Sequence, residues 1–543
     1  AVAQESFPVN GVVDRRNDLF AFTNATIVKD AKTTLQNATM IIRKGIIVYA
    51  GTGGTIPKDA VIIDCKGKFI YPSFIDLFSN YGVASTGSGG GGQESFQNLS
   101  KTEGAFSWNQ ALKPETDASK SFKKDADKAK DLRGIGFGLV VSHIQDGIAR
   151  GSGTLVSLGD RKENIEMIKE RAAAFYSFNS GSSSQDYPGS LMGSITLLRQ
   201  AYLDGQWYKT NPLAEGTNLS IQAWNNNQVL PQIFDAGDKW NDLRAAKIAN
   251  EFGVQYIIKG GNDEYQRMDD LKAAKISFIL PLSFPNAMDV ENPDDARVVA
   301  LSTMKHWEMA PLQTGMFEKA GISFSLSTTG LKNSGDFLSN LKTAIKNGLS
   351  KEKALESLTQ TPATQIGMYD KTGSLDAGKL ANFIICSAPV FNDDAIIFQN
   401  WVKGEKYTVN AEGWNDYRGN YKLTVKQGSQ NREYNVEVTG KISNPSATIK
   451  AANDTLKNDI KLSLNNKLVN ITWSLKADSS KLNRRTGVAG EKAWMGNGFS
   501  ANGESVSWNM QYVSSYVEKP DTSKKEDKKA PINTTMMYPF KGY

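Results

Sequence analysis

Histidine is what this sequence lacks most tellingly. Only two occur in 543 residues, His143 and His306. They stand too far apart for the His-x-His or His-x-x-x-His spacing of a local metal pair. A metal centre built mainly from imidazoles is therefore excluded. Cysteine is equally scarce: Cys65 and Cys386 can form at most one bridge, and without a histidine partner motif they make no zinc site. Both end apolar runs, Val61-Ile62-Ile63-Asp64-Cys65 and Phe383-Ile384-Ile385-Cys386. They read as buried thiols packing as small hydrophobes, the alternative being a disulfide that staples the first and last strands of one domain. No apolar run reaches the ~18 residues of a membrane span, so no transmembrane segment is expected. The net charge is +6, but both signs are interspersed along the chain. That leaves no footprint for nucleic acid or a membrane surface.

What is present is a globular composition, 40% apolar and 22% charged, able to bury a sizeable core. The length predicts more than one domain. The first residues, Ala1-Val2-Ala3-Gln4, resemble the small-residue end of a secretory signal, which predicts export to the periplasm, outer membrane or cell surface. An arbitrary start is the alternative.

Residues 20–71 read as short strands between turns rich in Asn, Gly and Lys, the pattern of a small β-sandwich. From about residue 72 the pattern becomes strand, loop, helix. Strand candidates are 74–78, 138–143, 230–234, 254–258, 276–282 and 322–326. In 238–252, Trp240, Leu243, Ile248 and Phe252 fall on one half of a helix. Repeated βα units over this length suit a closed barrel better than an open sheet. The glycine run at 85–92 lacks the spacing of a phosphate loop. After residue 410, the segments 421–425, 434–438, 460–464 and 469–473 alternate apolar with polar residues and read as antiparallel strands. Residues 519–530 are a charge run, most simply a linker.

Two segments resemble the amidohydrolase superfamily, in particular its imidazolonepropionase-like branch. The first is Gly67-Lys68-Phe69-Ile70-Tyr71-Pro72-Ser73-Phe74-Ile75-Asp76-Leu77-Phe78. It is similar to the segment that leads into the family's first barrel strand, where Pro-Gly-x-Ile-Asp-x-His-x-His is usual. The second contains Gly348-Leu349-Ser350, Thr359-x-x-Pro362-Ala363, Gly373-Ser374-Leu375 and Gly378-Lys379-x-Ala381-Asn382, similar to the family's closing signature. A further likeness lies in Trp108-Asn109-x-Ala111, Pro114-Glu115 and Gln145-Asp146-Gly147-Ile148-x-Arg150-Gly151. It resembles long exported members from Bacteroidetes, in which two such units often lie in tandem. The resemblance implies an α/β fold: a (β/α)8 TIM-like barrel at 76–369 and a β-sandwich from 1–75 and 370–410. An accessory antiparallel β domain at 411–518 and a charged linker and tail at 519–543 follow.

The family's chemistry implies a divalent metal, Zn2+ or another, that makes hydroxide from water. Its ligands are the first-strand His-x-His, two later histidines, and an aspartate after the eighth strand that is also the general base. Here those positions match Phe78 and Asn80, Asp235, Gly260 and Thr329. Phenylalanine and glycine side chains offer no lone pair, and a neutral amide or hydroxyl is a poor zinc partner. No metal and no other cofactor is therefore expected. Residual candidates remain: Asp235 and Lys259 at strand ends, for a carboxylate or Schiff-base site, and His143 near the end of the second strand. For each the bland alternative is structural, an ion pair at the rim or a buried histidine. His306 falls in a helical stretch. No Gly-x-Ser-x-Gly elbow provides a serine nucleophile.

The sequence thus predicts a catalytically inactive amidohydrolase-like protein, a structural or regulatory half or partner of a metal-bearing amidohydrolase or another exported complex. The apolar 536–540 agrees with docking on a neighbour. Alternatives are an active hydrolase of non-peptide C–N bonds with an unorthodox site, and a cell-surface ligand-binding module. For the last, Trp414, Trp473, Trp494 and Trp508 could stack on sugars, although such residues in β domains are more often core.

Overall fold

The computed structural model describes residues 18–515 except 84–96, 107, 213, 215, 290, 292, 411–416, 442–443, 452–457, 466–467, 476–477 and 491. The expectations for 1–4, 85–92, 519–530 and 536–540, and for Trp414, lie outside the described residues. The chain forms two compact units, one running to Val409 and one starting at Asn410.

In the first unit, strands β1 (Leu19–Val28), β2 (Thr34–Arg43), β3 (Ile46–Gly51), β4 (Val61–Asp64) and β5 (Phe69–Pro72) come before the barrel. The barrel strands are β6 (Phe74–Ser79), β7 (Phe137–Ser142), β8 (Ala149–Ser157), β9 (Met167–Ser177), β10 (Gln232–Asp235), β11 (Tyr256–Lys259), β12 (Ser277–Pro281) and β13 (Phe324–Ser327). The chain then returns through β14 (Phe383–Cys386), β15 (Ile397–Val402) and β16 (Glu405–Thr408). The flanks join where β14 runs antiparallel to β5, with Phe383 opposite Pro72 and Cys386 opposite Phe69. The expected sandwich is one eight-stranded sheet in the order β16-β15-β14-β5-β1-β2-β3, with β4 on β1. It is rolled on itself. Phe22 on β1 and Trp401 on β15 meet edge to face at 5.0 Å, although the β5 and β14 strands separate them in the ladder. At ~4.8 Å per strand a flat sheet could not bring them together. Cys65 and Cys386 are both buried thiols, which removes the disulfide reading. Burial pushes the Cys386 thiol up, out of its reactive range.

The eight barrel strands form one sheet from β6 to β13 in sequence order. Five of its pairings are parallel. Strand β8 departs from the simple βα repeat, running antiparallel to both β7 and β9. No side-by-side ladder joins β13 to β6. Asp76, fully buried on β6, instead accepts from the Thr328 amide at 2.9 Å and its hydroxyl at 2.7 Å. Leu77, Leu139, Val141, Leu155, Phe175, Ile233 and Ile279 fill the interior as one cluster, with Ile366 from the closing signature among them. A filled interior is what an eight-stranded barrel of this kind has room for.

The helices sit where capping places them. In Lys239–Phe252, Asp238 caps the N-terminus by accepting from the Trp240 and Asn241 amides, and Gly253 ends it at φ 67°. Ile248 is buried as expected, but Trp240 is 41% exposed and belongs to the rim rather than the core.

The second unit is a meander of β17 (Gly419–Gln427), β18 (Gln430–Lys441), β19 (Asn444–Ala451), β20 (Asn458–Asn465), β21 (Leu468–Leu475), β22 (Asp478–Ala489), β23 (Ala493–Phe499) and β24 (Ser505–Ser515). Pairing of β17 with β24 closes it into an eight-stranded antiparallel barrel, which leaves no free edge. Trp473, Trp494 and Trp508 are buried in its core, so they do not offer the sugar-stacking surface entertained from sequence. No helix among the described residues is long and apolar enough to cross a membrane.

Candidate functional site

In a barrel of this kind chemistry belongs to the C-terminal ends of the strands. Phe78, at the first ligand position, is 3% exposed and turned into the barrel. Its ring meets His143 edge to face at 4.5 Å, and His143 stacks on Phe175 at 3.7 Å. His143 is fully buried, and neither of its ring nitrogens has a hydrogen-bond partner. Burial, aided by the Arg150 charge, pushes its pKa well below the usual histidine value, so the ring is neutral. Asn80, at the second ligand position, is exposed beyond the end of β6.

Asp235 ends β10 and is held by two cations. Arg150 contacts its Oδ2 at 3.0 Å and Lys259 its Oδ1 at 3.2 Å. The Lys259 ammonium also lies 5.6 Å from the centre of the Phe78 ring. Both oxygens of the one carboxylate among the candidate ligand positions are thus ion-paired.

Gly260 follows β11, and Glu264 fills the space a side chain there would need. A Cβ on Gly260 would run into the Glu264 carboxyl group. Glu264 is buried, accepting from the Gly261 amide and, at 2.6 Å, from Gln313. Beside it lies Asp242, also buried, whose oxygens find no donor. Burial and the neighbouring Glu264 raise the pKa of Asp242 well above the usual carboxylate value, and burial raises that of Glu264. Both carboxyl groups are thereby pushed toward the neutral form. Thr329, in the general-base position, donates its amide to Ser327 Oγ at 3.1 Å.

These residues do not fit a catalytic metal. Zinc requires three or four N, O or S donors. Among the described residues, no group of three or more His, Cys, Asp or Glu is arranged to hold an ion. The electrostatics oppose one as well. A cation ~4 Å from Lys259 or Arg150 meets roughly 4 kcal/mol of repulsion per unit charge at a surface-like dielectric.

The mouth has two unlike sides. Loops following β6, β7 and β9 are stitched together on one side. Ser184 Oγ donates to Gln97 at 2.7 Å, Asn109 donates to the Tyr187 carbonyl at 3.0 Å, and Asp146 binds Lys113 and Ser182. The motifs around Trp108 and Asp146 meet here, with the Ile148 amide on the Ala111 carbonyl at 2.7 Å. Above β10–β13 a cavity of about 450 Å³ remains, lined by Lys259, Asn262, Asp263, Ser283, His306 and Thr329 among others. His306 Nδ1 lies 3.2 Å from the Tyr265 hydroxyl. Burial pushes its pKa down against the opposing pull of Asp263.

The structure therefore gathers Phe78, His143, Asp235 and Lys259 at the barrel mouth, with Thr329 and His306 on the wall of the cavity. Two participants escaped sequence reasoning as site residues. Arg150 was visible only as a letter in the Gln145–Gly151 motif, and Glu264 carried no signal at all.

A barrel flanked by a sheet drawn from both ends of the same unit is a fold this chain shares with a solved amidohydrolase. Residues 287–413 match the sequence model of the amidohydrolase family. An amidohydrolase from Thermotoga maritima is similar over 72% of this chain and 100% of its own, with 21% identity and a TM-score of 0.55. A prolidase complexed with N-methylphosphonate-L-proline aligns over 72% of this chain and 99% of its own, at 14% identity and a TM-score of 0.45. The A. niger ochratoxinase aligns over 72% and 96%, at 12% and 0.41. No curated protein matches the chain.

Proposed function

We propose that this chain is a metal-free, non-catalytic amidohydrolase-like barrel that acts as a structural or regulatory half or partner of a metal-bearing amidohydrolase in an exported complex. The observation that carries the reading is the replacement of the metal centre by an aromatic stack and the Arg150–Asp235–Lys259 ion triad. These groups offer no donor set for a metal and none of the water activation that the family's chemistry needs. The partner role draws support from large apolar side chains on segments that follow the barrel strands. Leu301, Met304 and Trp307, three residues apart along the helix Leu301–Met309, are 69%, 39% and 44% exposed. Exposed apolar groups of this size mark interaction surfaces when they cluster.

The test is metal content of natively purified protein, resolved by size exclusion. The expected result is no stoichiometric metal on the isolated chain, with metal following only a larger species that contains a companion with an intact His-x-His. One equivalent on the isolated chain would sink the reading.

The retained cavity favours a second reading, an unorthodox hydrolase working through Asp235 and Lys259. On that reading, amide or imide hydrolysis by the isolated chain disappears in Asp235→Ala. Activity that survives the substitution removes it.

A further inference from the structure

At the other end of the barrel lies a larger hollow than the cavity at the mouth. At the N-terminal ends of β10–β12, a cleft of about 1010 Å³ opens between the helices Lys239–Phe252, Lys351–Leu358 and Gln360–Gln365. None of the residues matching the family's metal ligands lines it. This face of such a barrel is ordinarily packed for stability, so a hollow there calls for a reason.

The walls are rich in side-chain amides, from Gln228, Gln232, Asn250, Gln255, Gln360 and Gln365. Only Lys275 and Glu356 among the lining residues are charged, and Glu356 is paired with Lys353 at 3.3 Å. Three of the glutamines are locked in orientation. Gln232 donates its amide nitrogen to the Asn227 and Leu230 carbonyls at 2.8 and 2.9 Å. Gln228 donates to the Tyr176 hydroxyl and the Trp224 carbonyl, both at 3.2 Å, and Gln365 donates to the Phe278 carbonyl at 3.3 Å. Turning the Gln232 amide over would set carbonyl against carbonyl. In all three the Oε1 atom is buried with no hydrogen-bond partner, and Gln232 as a whole is 5% exposed.

Those oxygens are closed to solvent, so the amides open to the cleft are those of Asn250, Gln255 and Gln360. A ligand that suits these neutral amides brings hydroxyl-like donors and acceptors rather than charge. It also has apolar faces for the intervening Val254 and Ile276, and a length that uses a volume at the upper end of the ligand-pocket range. We propose that this cleft is a binding site for a neutral polyhydroxylated ligand, a short oligosaccharide. Asn250, Gln255 and Gln360 offer paired donor and acceptor groups to neighbouring hydroxyls. This inference stands independently of the fate of the metal site.

The test uses the full chain on an array of neutral oligosaccharides, followed by calorimetry with the best-retained sugar. Gln255 is exposed and Asn250 and Gln360 line the cleft on helices or just outside the strands, so alanine there leaves the core untouched. Binding by the wild type and a loss of about tenfold or more in Gln255→Ala/Gln360→Ala are expected. Asn262→Ala, at the opposite mouth, should bind as the wild type does. No retained sugar, equal binding by the double variant, or loss in Asn262→Ala instead would each overturn the proposal. If the double variant unfolds, protection of the cleft-lining amides in wild-type hydrogen exchange on adding the sugar decides between the same outcomes.

Discussion

On the β6–β9 side of the mouth, rings occupy the interior and hydrogen-bonded loops lie over them. On the β10–β13 side the same barrel keeps a polar cavity of about 450 Å³. On the first side Phe78, His143 and Phe175 pack ring on ring. On the second, Asp235 is paired with two cations and the Glu264 carboxyl group lies against Gly260. The contrast is one of hydrophobic packing on one side and paired protein charge on the other. A side chain at 260 would need the Glu264 carboxyl group to move.

The filled side should therefore be the more expensive to disturb. Phe78→Ala removes a buried ring that touches His143 and Phe175, and a cost of about 3–5 kcal/mol is expected, read as a lower denaturant midpoint. A cost below about 1 kcal/mol would mean that the ring is dispensable filling and would erase the contrast. On the other side, Asp235→Ala leaves Arg150 and Lys259 facing each other without their shared carboxylate. The triad is partly solvated, so a smaller loss of about 2 kcal/mol is expected. Lys259→Met in the same background should recover part of that loss. If the two substitutions add instead, the charges are not coupled.

How much of this could be read from the chain depends on whether the signal was local. The closing signature around Thr359–Ala363 and Gly378–Asn382 and the Gly67–Phe78 segment are short and contiguous. They sufficed to place the barrel and the returning strand. Strands β8 and β9 were not legible. Ala149–Ser157 is rich in Gly and Ser, and Met167–Ser177 opens with residues that prefer helices, so tertiary pairing overrides both local preferences. The reach of Arg150 to Asp235 spans 85 residues, and the occupation of the Gly260 position by Glu264 depends on a fold-back that periodicity does not describe. The clasp of Asp76 on Thr328 was hidden for the same reason, although Asp76 lay within the recognised motif. The amide-lined cleft draws its residues from segments more than 100 positions apart.

Acidity separates the two sides further. His143 is buried neutral on the filled side, with a pKa below that of an unfolded histidine. The unfolded state thus binds the extra proton, and stability should fall as the pH drops through the unfolded value of 6.5. His143→Phe keeps an aromatic ring in the stack and should remove that acid-side loss, seen in melting temperatures between neutral and mildly acidic pH. A wild-type profile that stays flat across this range would show that the ring is not buried neutral.

Asp242 and Glu264, behind the hollow side, predict the opposite slope, and the smallest effect of the set. Their folded pKa values are raised, so the native state keeps a proton that the unfolded carboxylates release. Stability is then fully present below the unfolded carboxylate range and declines as the pH rises toward the folded values. Asp242→Asn replaces one of the two buried acids with a permanently neutral donor beside Glu264. It should flatten the decline and raise the melting temperature at neutral pH by a few degrees, a gain of about 1 kcal/mol. The effect should grow with pH, whereas simple repacking would shift every pH alike. A constant shift would therefore mean that the carboxyl pair holds no extra proton in the folded state, and that the wall against Gly260 is held by the bonds from Gly261 and Gln313 alone.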